Sequence, residues 1–127
     1  MSRRGTWIKP ARRYAIYHRD AFRCAWCECD LSDSHGITLD HVAAGSNDSS
    51  NLVTCCMMCN SLRGNTTFYE MLQLIPKDQG DAIVARLNQP LDVAAGVALS
   101  QKSARVKRGP LWYSRFLMMQ ADTVCDE

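Results

Sequence analysis

Two Cys-x-x-Cys pairs, Cys24/Cys27 and Cys56/Cys59, constrain this chain more than any other feature. Each two-residue gap closes a tight turn that aims two sulfurs at one point, and two such turns complete a tetrahedron with Zn–S distances of about 2.3 Å. Four protein thiolates leave no open coordination position, so the spacing predicts a structural rather than a catalytic Zn²⁺. The 28 residues between the pairs exceed the roughly 15–20 of a simple zinc ribbon, so something is inserted between the knuckles. Zinc binding would supply on the order of 10 kcal/mol towards folding, which matters for a first half too small to build a large core.

Seven cysteines cannot all pair, which argues against a disulfide framework and for a reducing compartment. Cys29, Cys55 and Cys125 are read as ordinary thiols, because Cys27-x-Cys29 and Cys55-Cys56 are poor substitutes for the two-residue gap. No apolar run is long enough to span a bilayer. The basic Met1–Gly5 segment lacks the apolar stretch of a secretory signal, so the expected location is cytoplasmic.

Local pattern predicts an α+β fold. Apolar residues at three- and four-residue intervals predict an amphipathic helix over Ala11–Phe22, after Pro10. Ile37–Val42 alternates with β-branched residues and reads as a strand, as does the shorter Leu52–Thr54. Gly45–Ser50 is a loop by composition. A helix beginning near Cys56 or Met57 carries Cys59, Asn60 and Arg63 towards Gly64. Helices are then expected over Phe68–Ile75, Asp81–Leu87, Asp92–Leu99 and about Leu111–Ala121, separated by Pro76, Gly80 and Pro90, with Asp81 and Asp92 as N-caps. Residues 1–67 are thus one unit with the zinc knuckles, and residues 68–127 a helical extension packed on it.

Between the cysteine pairs lie residues with a different chemistry. Asp40 offers a carboxylate, Asn60 an amide oxygen, and His41 an imidazole that can accept a proton near neutral pH. Hydrolysing a phosphodiester needs a base for the attacking water and a cation for the charge that develops on phosphate. Two hard oxygen donors suit Mg²⁺, which keeps several waters and seldom takes a full protein cage. Successive side chains of a strand face opposite ways, so Asp40 and His41 would act from different sides of the reacting group. His18 and His35 have no such surroundings and are read as ordinary surface histidines.

This constellation resembles the HNH endonuclease family in its four-cysteine zinc form. The likeness rests on Arg19-Asp20, Arg23-Cys24, Leu39–Val42, Asn51–Thr54 and Cys56–Gly64, about two-fifths of the chain. It implies a ββα-metal (His-Me finger) core and a metal-dependent DNA endonuclease. By the same resemblance His41 activates water, Asn51 braces the loop through its backbone, and Asp40 and Asn60 hold Mg²⁺. Cleavage would leave a 5′-phosphate. Asn60 stands where the family often has His, which favours Mg²⁺ over imidazole-seeking metals. Ala44 stands where the family often has Pro, and Gly45 where a basic residue is common.

Charge is uneven. Residues 1–30 carry Arg3, Arg4, Lys9, Arg12, Arg13, Arg19 and Arg23 against Asp20, Glu28 and Asp30; residues 101–116 carry five basic side chains and no acid. Two basic blocks around a mildly acidic centre fit a polyanion held at both ends. Arg12, Arg13, Arg19, Arg23 and Arg63 are the candidate phosphate contacts, which orient DNA without reading its sequence. The rival readings are a non-catalytic zinc module that binds nucleic acid, and a zinc domain serving a protein interface. A homodimer is left open.

Overall fold

The computed structural model describes residues 8–32 and 36–108, with side chains to residue 103. Helix α1 (Pro10–Arg19) starts where Pro10 presets the first turn. It stops three residues before the sequence suggests, because Ala21 and Phe22 both take left-handed φ values of 57° and 54°. The Phe22 N–H then closes back on the Tyr17 carbonyl at 2.8 Å, and the chain is turned into the first cysteine pair.

Strands β1 (Ile37–His41) and β2 (Leu52–Cys56) form an antiparallel pair with Asp40 opposite Val53 and His41 opposite Leu52. A short 3₁₀ turn over Ser49–Asn51 leads into β2. Helix α2 (Met57–Arg63) follows β2 without a linker: Cys56 ends the strand and caps the helix, its sulfur accepting the Cys59 N–H at 3.3 Å. Gly64, at φ 51°, ends α2. The fold is therefore a small α+β arrangement of two strands with helices around them.

Three further helices complete the described residues. Helix α3 (Phe68–Gln73) begins in a reciprocal capping box between Thr67 and Glu70. Helix α4 spans Lys77–Leu87, so Gly80 and Asp81 lie inside it instead of before it. Gly80 is buried there, facing Leu72 and Ile75. Asp92 does cap the next helix, α5 (Val93–Arg108), accepting the Ala95 N–H at 3.0 Å. That helix runs well past Leu99; the helix expected at 111–121 lies outside the described residues. Among the described residues no helix is long and apolar enough to cross a membrane.

Packing joins the two halves of the chain. Ile83 and Leu87 of α4 share one apolar cluster with Cys24, Ala25, Trp26, Leu31, Val53 and Cys55. Gln79 donates to the carbonyls of Ala25 and Trp26 at 2.8 and 3.0 Å, tying α4 to the first knuckle. A second cluster packs Ile8, Ile16 and Tyr17 against Leu39 and Leu52. Helix α5 lies against α1 at Gly96, where a Cβ would fall 2.2 Å from the Ala11 carbonyl oxygen. The core thus continues across residue 67, and α4 belongs to it.

A buried polar network holds α1 to β2. Arg19 donates to Asp20 through Nε (2.7 Å) and Nη2 (2.9 Å), and to the carbonyls of Leu52 and Ser49 at 2.7 and 2.8 Å. Asp20 in turn accepts the Thr54 N–H and hydroxyl at 3.0 and 2.9 Å. Removing one partner of such a pair leaves a buried charge uncompensated, at a cost of about 3–5 kcal/mol. Asp20→Ala in the zinc-loaded chain is expected to lose that much stability in urea titration. A change within the ordinary surface-substitution range of about 0.5 kcal/mol would show the network to be dispensable.

Candidate metal centre and the polar site beside it

The four knuckle cysteines converge. The sulfurs of Cys24, Cys27, Cys56 and Cys59 all lie within 4.8 Å of one another. A tetrahedron with Zn–S bonds of about 2.3 Å has edges of about 3.8 Å; the Cys27–Cys56 edge measures 4.0 Å. The set is all sulfur, with two buried members, one half-buried and one exposed. These residues are positioned to hold a metal ion, and their geometry and donor type are those of structural zinc.

Electrostatics favour the same cation. The neighbouring Cys55 thiol, aided by backbone donors of the knuckles, lowers the Cys24 pKa to about 5. Burial first, and then the charge on Cys24, pushes Cys59 up to about 12. One thiolate is thus stabilised and a close neighbour resists ionisation, because like charges cannot gather in a half-buried site without a counter-charge. A bound divalent ion removes that conflict. Cys55, an ordinary thiol by spacing, is fully buried and donates to the Cys56 carbonyl at 3.3 Å, with its own ionisation strongly disfavoured beside Cys24. The Cys29 sulfur lies 3.4 Å from the Cys27 sulfur.

The second site lies at the far end of the same strands. Asp40 is buried and its Oδ2 pairs with Arg63 Nη1 at 2.5 Å. Arg63 Nη1 also donates to the His41 carbonyl at 3.0 Å, and its Nε to the Thr66 carbonyl at 2.7 Å. Asn60 is three residues before Arg63 on α2, so it occupies the helix face that meets β1. Among the described residues, neither the Asn60 side chain nor Asp40 Oδ1 has a hydrogen-bond partner. His41 points to the opposite strand face, where Nε2 lies 2.8 Å from Asn47 Oδ1. Asn51 clamps the intervening loop: Oδ1 accepts the Ala43 N–H at 2.9 Å, while Nδ2 donates to the carbonyls of Ala43 and Ser46 at 2.7 and 2.8 Å.

The arginines divide. Arg19 is only 9% exposed and spends its donors on Asp20, Leu52 and Ser49, so it is a structural clamp and not a phosphate contact. Arg63 is committed to Asp40 and the end of β1. Arg12 and Arg23 are exposed, holding the Asn47 and Glu28 carbonyls at 2.7 and 2.9 Å, and half-buried Arg13 donates to the Tyr17 hydroxyl at 3.0 Å. Charge counting cannot separate these cases, since it is blind to which face of α1 packs inwards. Asn47 carried no sequence signal beyond loop composition, and Cys55 was hidden by its adjacency to Cys56. No protein-family model, curated protein or solved structure matches this chain.

Metal analysis of the purified chain is expected to return about one zinc per molecule, and a strong chelator is expected to unfold it. Because Cys59 keeps its proton at neutral pH until a cation displaces it, binding should release protons and affinity should fall as pH falls. Calorimetric titration of Zn²⁺ in two buffers of different ionisation enthalpy reads this directly. Identical heats in both buffers would contradict it.

Proposed function

We propose that this chain is an HNH-type DNA endonuclease, a metal-dependent phosphodiester hydrolase built on a ββα-metal core. The observation that carries the reading is the double contact of Arg63 with Asp40 and with the His41 carbonyl. It brings α2 against the end of β1, so that the Asn60 face of the helix adjoins the Asp40–His41 pair. The Asn51 clamp on Ala43 supports the same reading, since it shapes the loop that leaves His41.

Asp40 Oδ1 and the Asn60 amide oxygen are hard donors without competing partners among the described residues, and they fit Mg²⁺ together with water. When bound, Mg²⁺ would supply positive charge to the phosphate oxygens as negative charge develops. His41 takes the proton of the attacking water; the water oxygen bonds to phosphorus, and the 3′ oxygen departs and is protonated from solvent. Arg12, Arg13 and Arg23 orient the DNA backbone from α1 and the first knuckle. The zinc ion takes no part in the reaction.

The second reading is a non-catalytic zinc module that binds nucleic acid. Arg63 favours it in one respect, because Asp40 already has a cationic partner without any metal. Plasmid nicking by the purified chain, with and without Mg²⁺, separates the two. Cutting is expected only with Mg²⁺, and His41→Ala should lower the rate by about 10²–10⁴-fold. Tight DNA binding with no cutting under any divalent ion would give the case to the binding module.

A further inference from the structure

We infer that Asn47 is a positioning residue for His41: it fixes the imidazole as the Nε2–H tautomer and leaves Nδ1 as the proton-accepting nitrogen. The inference rests on the reading of His41 as the base. Its physical ground is the 2.8 Å contact between His41 Nε2 and Asn47 Oδ1. An amide oxygen can only accept, so Nε2 must donate, and in a neutral imidazole the remaining lone pair then resides on Nδ1. The same contact persists when the ring is protonated, because both nitrogens of an imidazolium donate. Asn47 therefore serves the ring both before and after it takes the proton.

Asn47 can hold a ring only if it is itself held, and the loop is pinned from several directions. Arg12 of α1 donates to the Asn47 carbonyl at 2.7 Å. The carbonyl of Ser46, immediately before it, accepts from Asn51 at 2.8 Å. The Asp48 N–H, immediately after it, turns back onto the Ser46 hydroxyl at 3.1 Å. Both His41 and Asn47 are half-buried, which limits competition from water for the bond between them. On the backbone side of His41, Arg63 holds the carbonyl at 3.0 Å, so ring and main chain are each anchored. Arg12 thereby acquires a use besides DNA contact, since it ties the position of Asn47 to α1.

The test reads the tautomer without relying on catalysis. In ¹⁵N-labelled, zinc-loaded full chain, long-range ¹H–¹⁵N correlation spectra at a pH where the ring is neutral should show His41 with a protonated Nε2 and an unprotonated Nδ1. Asn47→Ala should move both ring nitrogens towards averaged values, while His18, as an internal reference, stays unchanged. In nicking assays the same variant should lower kcat by about 10–100-fold, the usual cost of losing an outer partner of a functional histidine, with little change in KM. Asn47→Asp, which keeps an oxygen acceptor, should restore the Nε2–H pattern. A wild-type His41 protonated on Nδ1, an Asn47→Ala spectrum identical to wild type, or an unchanged kcat in that variant would each overturn the inference. A wild-type chain that never cuts would defeat the nuclease reading instead, and the spectra would still decide the tautomer.

Discussion

Everything else in this structure depends on bringing four sulfurs, separated by 28 residues in the chain, to one point. The consequence is more than local stability. Cys56 is at once the last residue of β2, the N-cap of α2 and a member of the sulfur cluster. A cation held there would fix the angle at which strand becomes helix. That angle determines where the far end of α2, with Asn60 and Arg63, meets the far end of β1, with Asp40 and His41. The cysteine cluster and the polar site are thus two ends of one lever.

A second, purely organic restraint fixes the same sheet from the opposite side. Arg19 and Asp20 saturate the backbone of β2 at Leu52 and Thr54, and Arg19 also holds Ser49 in the turn before the strand. Charged groups this deeply buried are tolerated because each is paired and hydrogen-bonded several times over. Helices α4 and α5 add apolar cover, with Ile83 and Leu87 beneath the first knuckle and Gly96 seated against α1. A two-stranded sheet is marginal alone, so this covering on both faces is what lets β2 be buried along its whole length.

Much of this was legible in advance. The cysteine spacing identified the four residues that converge, and the order strand, loop, strand, helix followed from periodicity and punctuation between Ile37 and Gly64. Boundaries were less legible where local rules conflict with packing. Gly80 reads as a helix breaker, yet it lies buried within α4, on the side that packs against Leu72. Ala21 and Phe22 carry no signal for left-handed backbone, yet they end α1. The polar site was legible as a set of residue types; its internal bonding was not.

The sequence by itself determined the features that depend on neighbours along the chain: which four cysteines are spaced to come together, and where α2 and α5 begin. Tertiary structure alone decided what each polar group faces. Of the five arginines marked by charge, it buried Arg19 on β2 and turned Arg63 onto Asp40, and it left Arg12 and Arg23 exposed. It also recruited Asn47 to His41. The physical reason is range. Turns, caps and ligand spacing act over a few residues, whereas a donor finds its acceptor across gaps of up to 89 residues that only the folded core closes.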